Sequence, residues 1–334
     1  MKNREKWPDN IKTIACILVV LGHIIQSFQK AKIINYGGFL SYINWFIYLF
    51  HMPVFMCVSG YLYSKYTKIE NKDDYIEFIK KKFINLIIPY ITFYLIYIIL
   101  NVTFSSSVNT KMGINELIGI INNPIPPYWY LYALLSLFLI VPILEKLFKY
   151  NRKNIFILML FLKIISIFYI CPIYAIKSVL EWGIYFYLGA VIDDKIFISK
   201  NNYQITILYV LLATIYYWIG LPLNYEIKSI INIIFGISGT LIMINNFYNI
   251  KDNKFFEIVK KHTMPIFLLH TIFAAGARIV LIKMNIESYI IHMIIGMMFG
   301  IGGPILIGIM CDKTKYANML FYPLTTYKKL KEGK

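Results

Sequence analysis

The chain has 334 residues, of which 58% are hydrophobic and 15% are charged, and its mean hydropathy is +0.61. Because about a quarter of the residues in soluble domains are charged, this composition excludes a soluble globular domain. The net charge of +17 does not indicate a nucleic-acid partner, since the charges cluster in short segments between apolar runs. The sequence predicts an integral protein of the lipid bilayer.

Ten apolar segments are predicted to cross the membrane, each close to the ~20 residues that a helix needs to span ~30 Å of hydrocarbon. The first lacks a small-residue cleavage site, so we expect it to be retained and not removed as a signal peptide. No polar linker divides the chain, which predicts one all-α domain over residues 1–334, a polytopic helix bundle. The predicted spans are 11–29, 39–64, 83–104, 128–148, 154–172, 175–193, 203–220, 228–248, 263–283 and 289–311, the fifth and sixth having a re-entrant pair as alternative.

The lysines and arginines in the loops predict the orientation, because cytoplasmic loops are enriched in them. With the N-terminus inside, 26 of them lie on the cytoplasmic side and 6 on the other. We therefore expect a multi-pass protein of the plasma membrane with both termini in the cytoplasm. The longest loop on the other side, about 105–127, could cover a site or simply connect two helices.

The cysteines give no metal or redox signal. All four lie in or beside apolar segments without metal-ligand spacing, so we expect core packing and no metal site. They are Cys16, Cys57, Cys171 and Cys311.

Ionisable side chains inside the predicted spans are the candidate functional residues, because such groups are costly in a bilayer. Each also has a structural explanation, since a histidine can hydrogen-bond a neighbouring helix and a lysine can extend to the interface. Lys163 and His292 are the least informative of them. The candidates are His23, His51, Lys163, Glu181, His270, Arg278 and His292.

The first span places Lys12 and His23 on one helix face, 11 residues or about 16 Å apart along the axis. A lysine at the cytoplasmic edge suits an anionic ligand such as a phosphate, and a histidine near mid-membrane can exchange protons near neutral pH. The alternative for His23 is a hydrogen bond to a neighbouring helix. Asp9 could pair with Lys12 or cap the helix.

His51 lies near the middle of the second predicted span, followed by a proline and a glycine that affect helix geometry. Pro53 removes a backbone donor and Gly60 permits close approach, which predicts a kinked, closely packed helix. His51 could line a cavity with His23, or it could bond a carbonyl that the proline frees.

Glu181 and Arg278 are predicted to lie at similar depth in the outer half of the membrane, because each is five or six residues from the outer end of its span. We expect them to form a buried ion pair, the least costly arrangement for both, with a substrate contact as the alternative. His270 lies near the cytoplasmic third of the ninth span.

The opening WPDNIKTIACILVVLGH, with lysine and histidine separated by ten residues, resembles the signature of the acyltransferase 3 family of integral membrane acyltransferases. Among its members it is most similar to the fucose 4-O-acetylase-like branch, which shares the Asp-Asn-Ile-Lys opening. The similarity covers essentially the whole chain. Further similar segments follow in the family's order: FHMPVFMCVSGYL, KKKFINLIIPYITFYL, PPYWYLYALLSLFLIVPIL, WGIYFYLGAVI and MPIFLLHTIF.

The resemblance implies an O-acyltransferase, and in particular an O-acetyltransferase for cell-surface polysaccharide or oligosaccharide precursors. It implies acetyl-CoA or another acyl-CoA as donor substrate, no bound cofactor, and a glycan or lipid-linked sugar as acceptor. His23 matches the family's essential histidine and Lys12 its basic partner, with Asp9 in the same motif. The family prefers arginine at many basic positions, and lysine cannot form the planar bidentate fork.

A site hypothesis follows from both arguments. The donor phosphates would bind Lys12 and the cluster Lys80, Lys81 and Lys82. His23 would act as general base on the acceptor hydroxyl or carry the acyl group transiently. The acceptor side would include His51, Trp129, Glu181, His270 and Arg278.

Two other classes of protein remain alternatives. A transporter or flippase for a glycan or small anionic substrate would use the same buried charges. It would typically carry an inverted repeat and broken helices in matching positions, and neither is evident in the sequence. A sensor or structural subunit would not need the histidine of the first span.

Overall fold

The computed structural model describes residues 5–193, 203–220, 222–251 and 253–331. Over these residues the chain forms fourteen α-helices and no strand. They are α1 (Trp7–Lys30), α2 (Phe39–Tyr66), α3 (Lys72–Thr103), α4 (Ile114–Ile118), α5 (Trp129–Leu147), α6 (Arg152–Phe168), α7 (Tyr174–Val191), α8 (Tyr203–Ile219), α9 (Tyr225–Phe247), α10 (Lys254–Lys261), α11 (Thr263–Lys283), α12 (Tyr289–Lys313), α13 (Lys315–Asn318) and α14 (Pro323–Lys331).

The all-helical membrane fold is confirmed, and each predicted span coincides with one of these helices. Within the described ranges, seven helices are long and apolar enough to cross a membrane: α1, α2, α3, α5, α9, α11 and α12. The count of ten spans and the orientation stay predictions. Several charges that entered the orientation argument lie outside the described residues, namely Lys2, Arg4, Lys195, Lys200 and Lys334.

Helix α3 begins eleven residues before the predicted start of its span at residue 83. A capping box explains the early start, because the Asn71 side chain accepts a hydrogen bond from the Asp74 amide at 2.9 Å and the Asp74 carboxylate accepts one from the Asn71 amide at 3.3 Å. Lys80, Lys81 and Lys82 therefore lie on a helix that extends the membrane span and not in a loop.

Helices α2 and α7 approach each other closely at two glycines. A Cβ at Gly60 would lie 1.7 Å from the carbonyl oxygen of Phe186, and one at Gly189 would lie 1.8 Å from that of Cys57. Any larger side chain would overlap with backbone atoms, which cannot move aside. The close packing predicted from Gly60 is confirmed, and α2 continues through Pro53.

Helices α1 and α11 pack side by side, with the Cys16 thiol 3.8 Å from the Thr263 carbonyl oxygen. The short helix α10 precedes α11 and packs beside the first turns of α1. We call the end of the bundle where α1 begins the Trp7 face, and the end where α1 finishes the Lys30 face.

Segment 104–128, which contains α4, folds onto the bundle at the Lys30 face. Asn109 donates a hydrogen bond to the Ser27 carbonyl at 3.0 Å, and the Tyr94 hydroxyl donates one to the Glu116 carbonyl at 2.7 Å. Tyr94 lies about 13 Å before the end of α3 along the helix axis. The segment therefore reaches down between the helices and covers this face.

Candidate functional site

Two histidines meet in the interior of the bundle. The rings of His23 on α1 and His270 on α11 have centroids 5.1 Å apart. His270 is completely buried, whereas His23 keeps partial exposure. The sequence placed both residues in spans, but it did not predict that they touch.

The hydrogen bonds of His270 define its state. Its Nδ1 lies 2.9 Å from the Ile266 carbonyl oxygen and 3.0 Å from that of Phe267. Because carbonyl oxygens only accept, Nδ1 carries a proton, and in the neutral imidazole Nε2 then carries the lone pair. That Nε2 is buried and has no hydrogen-bond partner. The ring that packs against His23 therefore has one nitrogen without a hydrogen-bond partner.

His51 on α2 belongs to the same region, and it interacts electrostatically with His23. Its Nδ1 donates to the Ile47 carbonyl at 2.9 Å, and its ring packs against Tyr48 at 4.4 Å. Pro53 frees the carbonyl four residues earlier, that of Leu49. The predicted bond to a proline-freed carbonyl is therefore wrong, and His51 bonds to a carbonyl one half-turn away.

A cavity of about 680 Å³, the Lys12 cavity, opens at the Trp7 face. Its deep end includes Phe267, whose carbonyl accepts from His270, so it reaches within one helical turn of that ring. Six charged residues surround the mouth: Lys6, Asp9, Lys12, Glu257, Lys260 and Lys261. The walls are mostly apolar or aromatic: Phe55, Leu86, Tyr130, Leu131, Leu134, Thr263, Met264, Phe267 and Tyr322.

A neighbouring cavity of about 510 Å³, the Lys82 cavity, shares Lys12, Leu86 and Leu134 with the Lys12 cavity. Lys82 lines it and lies over the Phe138 ring, 4.2 Å from the centroid. Two of the predicted phosphate-binding lysines, far apart in sequence, therefore line one cavity.

The other two lysines of the predicted cluster are placed differently. Lys81 forms an ion pair with Glu77 one turn earlier and faces a third cavity beside α14. Lys80 is exposed and is not among the residues that line these three cavities. Lys82 lines this third cavity together with Lys81. Of the three lysines, only Lys82 also lines the Lys82 cavity that it shares with Lys12.

Asp9 does not cap α1. The helix begins at Trp7 with Pro8 in its first turn, and no side chain caps it by a hydrogen bond. Because proline fits the first helical positions, the helix begins four residues before the predicted start of the span at residue 11. Asp9 therefore lies inside the first turn. Its side chain lines the Lys12 cavity.

The predicted ion pair between Glu181 and Arg278 is wrong. Glu181 instead pairs with Lys177 one turn earlier at 3.9 Å and also interacts electrostatically with Lys163. Arg278 is 4% exposed, its Nε has no hydrogen-bond partner, and it interacts electrostatically with Tyr97. Similar depth along two helices does not imply that their side chains face each other.

Trp129 packs beside the segment that carries Glu181. Its ring stacks on Trp182 with centroids 5.0 Å apart, next along the chain to Glu181. His292 lies elsewhere, where its Nε2 donates to the Ile286 carbonyl at 2.8 Å. The predicted acceptor-side residues are therefore distributed over different parts of the bundle.

Sequence reasoning missed several residues of the Lys12 cavity. The lysines of α10 were counted only for orientation, although the spacing of KFFEIVKK indicates an amphipathic helix that presents charges along one side. Tyr130 and Tyr322 had no signal in the sequence. Burial raises the pKa of Tyr322, which donates to the Lys261 carbonyl at 3.2 Å. His262 was also missed, and its Nε2 lies 3.6 Å from the Asp312 carboxylate.

Comparison with known proteins places the chain among acyltransferases. The family model Acyl_transf_3, described as an acyltransferase domain, matches residues 5–309. The nodulation protein NolL of Sinorhizobium fredii (strain NBRC 101917 / NGR234) is 47% identical over 62 residues, 19% of this chain and 16% of that protein. NolL of Mesorhizobium japonicum (strain LMG 29417 / CECT 9101 / MAFF 303099) is 27% identical over 161 residues, 47% of this chain and 39% of that protein. The chain thus spans less than half the length of these curated relatives, and no solved structure matches it.

Proposed function

Because the chain belongs to the acyltransferase 3 family, we propose that it is a membrane O-acyltransferase. It moves an acyl group from cytoplasmic acyl-CoA to a hydroxyl of a cell-surface glycan or its lipid-linked precursor. The resemblance to the fucose 4-O-acetylase-like branch favours acetyl. In this proposal ten helices cross the plasma membrane and the Trp7 face is cytoplasmic, as the loop charges indicate.

The Lys12 cavity is the observation that carries the proposal. Its mouth holds four lysines against two acidic residues, and Lys261 is also paired with Asp312. The remaining surplus of positive charge suits the phosphates of the donor, and the walls suit an apolar arm. The mouth residue Lys12 lies about 16 Å from His23 along α1, a length comparable to a pantetheine arm. The thioester would then lie beside the two imidazoles.

In the transfer step, His23 takes the proton of the acceptor hydroxyl. The hydroxyl oxygen attacks the thioester carbonyl carbon, a C–O bond forms and the C–S bond breaks. The CoA sulfur then takes the proton from His23 and leaves as the thiol. The His270 ring packs against that of His23, and its Nε2, which has no hydrogen-bond partner, is available to a polar group of the substrates. A covalent route through an acyl-His23 is distinguished by labelling the protein without acceptor.

The test measures acetyl transfer by the purified protein in proteoliposomes. The donor is acetyl-CoA labelled in its acetyl group, and the acceptor is a glycan extract from membranes of the cells that produce the protein. We expect label in the glycan fraction with the wild type and none with His23→Ala at equal protein level. Equal labelling by both proteins would refute the catalytic assignment. Movement of glycan across the vesicle without acetyl-CoA would instead indicate a transporter.

A further inference from the structure

Arg278 is a buried cation without a carboxylate partner in the described part of the chain. It is 4% exposed inside α11, a helix long and apolar enough to span a membrane. Its electrostatic neighbour is the phenol of Tyr97, and its Nε has no hydrogen-bond partner. A guanidinium stays protonated, so burying it without an anion is strongly unfavourable. A bound anion would stabilise this buried guanidinium, and the described residues do not supply one.

The helix face that carries Arg278 has a second buried polar group, Thr271. Thr271 is seven residues earlier, which puts it on the same face about 10 Å nearer the Trp7 face. Its hydroxyl is also buried without a hydrogen-bond partner. Ala274 and Ala275 lie between them, so the side chains that separate the two unpartnered groups are small. His270 adjoins Thr271 in the chain.

The surroundings of Arg278 lie on the acceptor side of the proposed reaction. Tyr97 packs against Tyr128, with ring centroids 5.9 Å apart, and the Tyr128 hydroxyl donates to the Leu268 carbonyl at 3.1 Å. The Lys12 cavity extends along α11 to Phe267, and Arg278 follows eleven residues, or about 16 Å, further towards the Lys30 face. The phosphates of a donor bound at the opposite face are too far away to be the missing anion.

We propose that Arg278 binds an oxyanion carried by the acceptor, so that the substrate class is an acidic sugar or a sugar phosphate. A planar guanidinium binds phosphate or carboxylate through two parallel hydrogen bonds. Arg278 lies about 12 Å beyond His270 along the axis, and helical side chains lean back towards the N-terminus. The anion is thus within one or two sugar units of the hydroxyl at His23. This step rests on the proposed function, which puts the reacting hydroxyl there.

The test measures binding without acyl transfer. Full-length purified protein is heated with glucose 1-phosphate, glucuronate or glucose, and the unfolding temperature is followed against probe concentration. We expect at least one anionic probe to stabilise the wild type and His23→Ala, while glucose does not. Arg278→Gln should lose the shift, and Arg278→Lys should need at least tenfold more probe. Lys283→Gln removes one exposed charge from the same helix and should keep the shift.

If glucose 1-phosphate stabilises the protein and glucuronate does not, the acceptor group that Arg278 binds is a phosphate. The reverse result identifies it as a carboxylate. Arg278→Gln alone should unfold at the wild-type temperature or higher, because a costly buried charge is removed. An equal shift in Arg278→Gln, or no shift of the wild type with either anion, overturns the proposal. Because the readout needs no acetyl-CoA, loss of acyl transfer in the proteoliposome assay is a separate result.

Discussion

His23 and His270 lie side by side at the same height on two helices that run parallel. Their rings are 5.1 Å apart, and seven residues earlier on each helix Cys16 contacts Thr263 at 3.8 Å. Both pairs have the same sequence separation of 247 residues. Two turns of α1 and α11 are therefore aligned, and the distance between the imidazoles is set by helix packing.

Replacing His23 by Gln should lower the rate of acyl transfer about 10²- to 10⁴-fold, the range for loss of a general base. The measurement is the initial rate with saturating acetyl-CoA in proteoliposomes. His292→Gln is the control, because that histidine serves a local bond to the Ile286 carbonyl at 2.8 Å. We expect it to transfer at the wild-type rate. A His23→Gln enzyme as fast as the control contradicts the assignment.

Replacing the lysines that line the cavities should weaken donor binding, whereas replacing their exposed neighbour should not. Lys82→Ala and Lys12→Ala should raise the KM for acetyl-CoA by about ten- to a hundredfold, the effect of losing one charge-assisted hydrogen bond. Lys80→Ala should have little effect, since Lys80 is exposed and lies outside these cavities. The measurement is KM at two salt concentrations.

Lys12→Arg completes that series. It preserves the positive charge at the shared edge of the Lys12 and Lys82 cavities, so the KM should stay close to that of the wild type. Equal donor affinity in Lys12→Ala and Lys12→Arg would count against phosphate binding by this residue.

Glu181 and Arg278 should behave independently. Glu181 pairs within its own helix, with its side chain 32% exposed, so Glu181→Gln should change the transfer rate by no more than roughly twofold. The double variant with Arg278→Gln should show the product of the two single effects. Rates of the two single variants and the double variant give the comparison. A double variant that recovers activity lost in a single one would show that the two charges are coupled, which would contradict the separate positions of the two side chains in the structure.

Alanine at Gly60 or Gly189 should destabilise the protein by about 1–3 kcal/mol or more, because the added Cβ would overlap a carbonyl oxygen of the facing helix. Thermal unfolding in detergent measures the loss. Gly302→Ala is the matched control, since a Cβ at this helical glycine meets nothing within 4 Å. It should be neutral or stabilise by about 0.5–1 kcal/mol. Similar losses at all three positions would indicate a general intolerance of glycine replacement.

Hydropathy was enough to locate the ten helices that coincide with predicted spans, and helix periodicity put Lys12 on the face of His23. These properties are local along the chain. The contact between His23 and His270 and the absence of a pair between Glu181 and Arg278 are not local, because depth in the membrane leaves the angle around the bundle undetermined. The early start of α3 was readable from Asn71 and Asp74, which form a recognisable capping box.

The alignment of α1 with α11 also constrains the path of the chain by parity. Two helices that run in the same direction must be separated by an odd number of crossings. Of the helices between them, four are long and apolar enough to cross, namely α2, α3, α5 and α9. When all four of them cross, an odd number of the remaining helices α6, α7 and α8 traverses the bundle as well. In that arrangement, the shorter helices of the described part of the chain cannot all lie along its surface.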